Sequence, residues 1–188
     1  MPHSAHAISE LSPDDELVRA ARAGDRVAYG ELYRRYAPMV HGVLLARIAP
    51  DYVDDLLQEV FLKAMTQMTQ LREDDHFGGW IAAIARNRAT DQYRRTREMQ
   101  STDDFATSIA TRGTPGSHAE ARIALATIQS LPDAYRETLA LRLVEGMTGP
   151  EIANRTGLTP ESVRVNLHRG MKLLRERLGI GKRDVNHD

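Results

Sequence analysis

Residues 148–160 constrain this chain more sharply than any other stretch. Thr148, followed three residues later by Glu151, has the spacing of a capping box, which opens a helix by satisfying two free backbone donors. Gly157 can take the left-handed conformation that closes a helix. Thr159 then caps again, and Pro160 stands at the first helical position, where its missing N–H costs nothing. The spacing predicts two short helices joined by a tight glycine turn, the unit that reads duplex DNA. At about 100° per residue, Val163, Leu167, Gly170, Leu174 and Leu178 fall on one side of the second helix, the side that packs inward. The other side presents Glu161, Val165, His168 and Lys172, flanked by Arg164, Arg169 and Arg175. A helix in the major groove offers base edges its N-terminal side chains and gives phosphates its later cations. Glu161, Arg164, Val165 and His168 are therefore candidate base contacts, and Arg169, Lys172 and Arg175 candidate phosphate contacts. Taken alone, the helix can also be read as an amphipathic helix with a solvated basic face.

No stretch alternates like a strand, so the chain is expected to be all-α, in two small helical domains. The net charge of −1 hides a segregation. Asp51–Glu59 is acidic, whereas Arg86–Arg97 and Arg164–Arg183 are basic, and such local patches, not the total, carry the signal for nucleic acid. There is no cysteine, which removes disulfides, thiolate metal sites and a cysteine nucleophile. The histidines form no metal-ligand pattern, and neither a metal nor a cofactor is expected. No apolar run approaches the roughly 18 residues of a membrane span, and MPHSAHAISELSPDD lacks the features of a secretory signal. A soluble, cytoplasmic protein with no membrane insertion is the expectation.

Residues 1–12 read as a mobile tail. The first helical block, 13–100, should hold four helices: a short one stopping near Gly24, one from Asp25 to Pro50 carrying Pro38, one from about Asp51 to Met68, and one from about Phe77 to Glu98. Residues 101–117, STDDFATSIATRGTPGS, read as a flexible linker. A second four-helix block, 118–183, ends in the helix-turn-helix and should fold by itself.

Two further helices carry candidate surfaces. In DYVDDLLQEVFLKAMTQM, Val53, Leu57, Val60, Phe61, Ala64 and Met68 form an inward stripe. Asp51, Asp54, Asp55, Gln58, Glu59 and an exposed Leu62 lie away from it. Acid near a helix N-terminus favours the macrodipole, which accounts for Asp51, Asp54 and Asp55 and poorly for Glu59. Uncompensated acid around an apolar residue suits docking on a basic protein surface. An acid–base enzyme using Asp55 and Glu59 is the rival reading, disfavoured because the pair faces outward. In FGGWIAAIARNRATDQYRRTRE, Trp80, Ile81 and Ile84 should face the core. Arg86, Tyr93 and Arg97 should share the outer face with Ala82 and Ala89, a face where arginines meet phosphates and a ring stacks on an unpaired base. Asp91 falls on the inner side, within reach of Arg88 and Arg95.

Together these segments resemble an extracytoplasmic-function sigma factor, the two-domain class of bacterial transcription initiation factor. DDLLQEVFLKA is similar to the family's segment that docks on the clamp helices of core RNA polymerase. FGGWIAAIARNRATDQYRR is similar to its promoter-melting, −10-reading helix. LPDAYRETLALRLVEGMTGPEIANRTGLTPESVRVNLHRGMKLLRERL is similar to its −35-reading domain. The resemblance spans about Asp14 to Leu178, with the three segments in the family's order. It places Asp54, Asp55, Gln58 and Glu59 at polymerase-docking positions. It places Phe77, Trp80, Arg86, Asn87, Asp91, Arg94 and Arg95 in the −10 segment, and Arg164, His168 and Arg169 in the recognition helix. The loop LREDDH, with Asp74, Asp75 and His76, corresponds to the family's −10 specificity loop; a carboxylate there can accept from a cytosine amino group. The chain departs from the family at Val165, Asn166 and Gly149-Pro150.

The resemblance implies a non-enzymatic specificity subunit. Its partners would be core RNA polymerase (clamp helices and flap), promoter DNA and an anti-sigma factor. Asp103 and Asp104 of the linker would mimic nucleic-acid charge in the polymerase interior. The alternative is a helix-turn-helix regulator that binds operator DNA without being a polymerase subunit, which would leave the acidic helix unexplained.

Overall fold

The computed structural model describes residues 13–71, 76–102 and 117–180. Among them lie eight α-helices and no strand: α1 Pro13–Arg22, α2 Arg26–Leu45, α3 Val53–Gln67, α4 Phe77–Thr102, α5 Ser117–Gln129, α6 Asp133–Leu143, α7 Gly149–Thr156 and α8 Pro160–Leu178. The expected tail, residues 72–75 of the −10 loop with Asp74 and Asp75, and Asp103 and Asp104 lie outside the described residues.

Local chemistry sets most helix ends. The Asp25 carboxylate caps α2 by accepting from the backbone N–H of Val27 and Ala28. Pro38 is accommodated inside α2, and the helix stops at Leu45 rather than at Pro50. Pro50 instead starts a single 3-10 turn, Pro50–Tyr52, so α3 begins at Val53, later than the expected Asp51. α4 runs on to Thr102, past the expected end at Glu98 and into the segment read as linker.

The helices α1–α4 pack around Leu32, Met39, Val40, Val43, Val60, Phe61, Ile81 and Ala85. α1 is tied to α2 where Arg35 and the Tyr36 hydroxyl both meet the Asp14 carboxylate at 2.6 Å. On α3, Val53, Val60, Phe61, Ala64 and Met68 are buried as expected, but Leu56 is the buried leucine and Leu57 is only half-buried. Ala82 and Ala89 are fully buried rather than on an outer face, and Asp91 is exposed rather than inward. The reason is that α4 packs against α2, α3 and α7. Its alanines are where neighbouring helices come close, and a helix covered on several sides has no single apolar stripe for periodicity to find.

The two helix groups are packed together. α2 lies against α6 and α7, and α4 against α7. Leu141, Met147, Ile152, Ala153 and Val163 from the second group join the main core of the first. A smaller core of Ile128, Leu131, Leu139 and Leu174, flanked by Tyr135, Leu167 and Met171, is built from α5, α6, α8 and the turn between α5 and α6. No helix among the described residues is long and apolar enough to cross a membrane.

Candidate nucleic-acid interface

The turn between α7 and α8 forms as its residues dictate. The Thr148 hydroxyl accepts from Glu151 N–H, and the Glu151 carboxylate accepts from Thr148 N–H at 2.7 Å. The Thr148 backbone N–H and hydroxyl beside Glu151 hold its carboxyl below the usual range. Gly157 closes α7 in the left-handed region at φ 73, where a Cβ would be strained. Thr159 caps α8 by accepting from Ser162 N–H at 3.2 Å, with Pro160 following.

α8 turns Val163, Gly170 and Leu174 into the protein and half-buries Leu167 and Leu178. A Cβ on Gly170 would stand 3.1 Å from Leu139 Cδ1, so this glycine sets how closely α8 crosses α6. The opposite face exposes Glu161, Arg164, His168, Arg169, Lys172 and Arg175, with Val165 half-buried at its edge. Glu161 and Arg164 pair at 2.7 Å with both side chains over two-thirds exposed. Such a pair is worth little in water, which leaves Arg164 available to another acceptor.

The second surface is on α3 and the turn before it. Asp51, Asp54, Asp55, Gln58 and Glu59 are all exposed, and Leu62 is 60% exposed among them. The acid is not wholly uncompensated, because Glu59 is ion-paired with Arg88 of α4. Beside this face, Tyr33, Ala37, Pro38 and Leu57 line a shallow apolar groove, with His41 and Glu145 on its rim.

The third surface, on α4, is only partly available. Asn87, Tyr93, Arg94 and Arg97 are exposed, and His76 is exposed just before the helix. Phe77 is buried, edge-on to Tyr36 with centroids 4.9 Å apart, and Trp80 is half-buried beside it. Phe77 is thus a core residue, because α7 and α2 close over the start of α4. Arg86 is turned into the second helix group, where it forms a two-pronged contact with Glu137 of α6 at 2.7 and 3.0 Å. Arg47 of α2 reaches the same carboxylate at 2.8 Å. Burial alone would push the Glu137 carboxyl up, but hydrogen bonds and charge from Arg86 and Arg47 outweigh it and hold the group below the usual range. Sequence reasoning missed Glu137 and Arg47. The signal was present: Glu137 stands one turn before Leu141 on the buried side of α6, where a lone carboxylate requires partners.

Comparison with known families settles what kind of molecule carries these surfaces. The model of sigma-70 region 2 matches residues 32–98, and that of sigma-70 region 4 matches residues 121–174. RNA polymerase sigma factor CarQ of Myxococcus xanthus is 33% identical over 163 residues, 84% of this chain and 93% of that protein. The chain belongs to the extracytoplasmic-function sigma factor family. RNA polymerase sigma factor NccH of Alcaligenes xylosoxydans xylosoxydans is 30% identical over 83% of this chain and 89% of its own length. The fold is shared with CnrH, solved in complex with the cytosolic domain of CnrY, at a TM-score of 0.60 and 24% identity over 89% of this chain and 98% of that one. It is also shared with RpoE of Bartonella quintana, solved with the anti-sigma factor NepR, at a TM-score of 0.55 and 21% identity over 81% and 97% of the two chains.

This sigma factor is a transcription initiation factor that binds RNA polymerase and directs it to promoters. The free-standing operator-binding regulator is not favoured, because region 2 accounts for the acidic helix that such a regulator leaves unexplained.

Proposed function

We propose the following division of labour. Residues 13–100 form the unit that docks on polymerase and melts the −10 element. Residues 118–183 form the unit that reads −35 duplex. Asp51, Asp54, Asp55, Gln58, Glu59 and Leu62 dock on the polymerase clamp helices: the acid steers the encounter and Leu62 supplies apolar contact at its centre. The −10 bases meet Asp74, Asp75, His76 and the α4 face of Trp80, Arg86, Asn87, Tyr93, Arg94 and Arg97. There, stacking on an aromatic ring offsets part of the cost of unstacking. Glu161, Arg164, Val165 and His168 read −35 base edges, while Arg169, Lys172 and Arg175 hold phosphates. The protein contributes specificity and no catalytic group of its own, and it works in the cytoplasm beside its polymerase. An anti-sigma factor is its regulatory partner, a reading supported by the complexes in which the fold neighbours were solved.

The observation that carries this reading is the exposed acidic α3 face and the exposed polar α8 face in one chain. The test is reconstitution with bacterial core polymerase. Wild-type protein should yield promoter-selective transcripts. Asp55→Lys combined with Glu59→Lys should abolish core binding while circular dichroism stays helical, since both side chains are solvent-facing. Unchanged core affinity in that variant would remove this face from the polymerase contact.

A further inference from the structure

The two helix groups touch at Gly42, where a Cβ would lie 2.8 Å from Leu141 Cδ2, and at Gly78, where one would run into the Arg155 carbonyl. Further along the same helices they leave a cleft of about 520 Å³, a volume within the range of small-molecule sites. Three walls line it: Arg47 just past α2, Ala89, Thr90 and Tyr93 of α4, and Gln129 and Arg136 of α5 and α6. Glu137 carries one negative charge between the guanidiniums of Arg47 and Arg86, so that cluster keeps one positive charge in excess. Arg136 donates to the Gln129 carbonyl at 3.2 Å and pairs with Asp133, yet its Nε is buried and meets no acceptor, which leaves the guanidinium under-satisfied. The first turn of α6 adds backbone donors, because Pro132 at its N-cap supplies no side-chain hydrogen bond. The remaining polar groups are acceptors. Thr90 gives its hydroxyl proton to the Arg86 carbonyl at 2.9 Å, and Gln129 gives its amide hydrogens to the Leu45 and Ile48 carbonyls at 2.7 and 2.9 Å. What each still offers the cleft is oxygen lone pairs. Tyr93, 58% exposed, adds an aromatic ring.

We propose that this cleft binds a free nucleoside phosphate whose base carries an exocyclic amine. The phosphate goes to Arg47 and Arg136, where guanidiniums and the α6 N–H groups match its oxygens. The base stacks on Tyr93, and its amine and the ribose hydroxyls donate to the Thr90 and Gln129 oxygens. Other anions fit less of the cleft. An acidic peptide would satisfy the cations but leave the ring unused, and inorganic phosphate would fill one end. Among the residues lining the cleft, Asp133 alone opposes an anion. Its side chain is 71% exposed, so water and salt screen it. A ligand here joins α4 to α6, and binding therefore stabilises the full chain. Tyr93 need not meet −10 bases for this to hold.

Isothermal titration of the full chain with AMP, GMP, UMP, adenosine and inorganic phosphate tests the site. AMP or GMP should bind once per chain and raise the midpoint of thermal unfolding. UMP lacks the amine, adenosine lacks the phosphate and inorganic phosphate lacks the base, so each should bind about tenfold more weakly. Tyr93→Ala should weaken AMP binding about tenfold and leave the weak binding of inorganic phosphate unchanged, whereas Arg136→Met should weaken both. Asp133→Asn should tighten AMP binding about threefold, a gain that a general loosening of α6 would not give. Circular dichroism checks that the three variants keep their helices. AMP and GMP that give neither heat nor a thermal shift at millimolar concentration overturn the proposal. AMP binding undiminished in both Tyr93→Ala and Arg136→Met also overturns it, because the nucleotide is then held elsewhere, such as on the basic face of α8. UMP binding as tightly as AMP overturns it too, since Thr90 and Gln129 then do not read the base. A short oligodeoxyadenylate without terminal phosphates that displaces AMP mole for mole would assign the cleft to a DNA strand and overturn the free ligand.

Discussion

Arg164 and Lys172 share the exposed face of α8 but stand about two turns apart, and that spacing separates their tasks. Arg164 is in the first turns, where side chains reach base edges. Lys172 is where the helix leaves the groove floor. Arg164→Ala is expected to cost about 1–3 kcal/mol and to relax discrimination at one or two −35 positions. Lys172→Ala should weaken all promoters nearly equally and reduce the salt slope by about one unit. Binding titrations of the polymerase complex across promoter variants and salt read both, and identical profiles for the two variants would refute the division. A second residue-scale expectation concerns pH. The hydrogen bond to Glu145, outweighing partial burial and helped by the charges of Glu145 and Asp54, raises the pKa of His41. A group whose folded pKa is raised stabilises fully below its unfolded value, near 6.5, and loses that contribution as pH rises through the folded value. The His41–Glu145 contact should thus be strongest in mild acid and fade towards alkaline pH. Thermal unfolding at pH 6 and pH 8 should differ less for His41→Gln than for wild type; an unaltered difference would show that other groups set it.

At the scale of the element, α7 and α8 were legible in advance because their ends are decided by residues within a few positions of each other. The Thr148–Glu151 box, Gly157, Thr159 and Pro160 all act where the sequence puts them. Thr148→Ala should cost about 1 kcal/mol of stability, measured by denaturant unfolding, and a loss near zero would mean that packing against α4 fixes α7 unaided. α4 was legible as a helix but not in its faces. Periodicity puts Ala82, Ala89 and Arg86 on the outer face and Asp91 on the inner one, whereas the alanines are buried, Arg86 is half-buried and Asp91 is exposed. The periodicity of a long helix reports how apolar each side is, not which neighbour will cover it. Region 4 supplies that cover from 51 residues away in the case of Arg86 and Glu137, and no local signal encodes such a distance. Glu59 shows the same limit, since its partner Arg88 sits on another helix.

At the scale of the whole molecule, the second group has its own small core around Ile128, Leu131, Leu139 and Leu174 but lends Leu141, Met147, Ile152, Ala153 and Val163 to the first. The fragment 118–183 is therefore expected to unfold cooperatively, at a lower temperature than the full chain, because those five residues lose their cover. A fragment that stays disordered by circular dichroism would place the boundary elsewhere.

The glycines at the seam have a genetic consequence. At Gly42 and Gly78 the two groups approach so closely that a methyl group in place of a hydrogen forces a neighbour to move. At Gly42 that neighbour is the tip of flexible side chains, and at Gly78 it is backbone. A single missense change at this seam then acts by losing a fit rather than by losing a contact. Missense alleles at Gly78 should therefore be tolerated less well than alleles at Gly42, 36 codons upstream, in a screen for thermolabile protein.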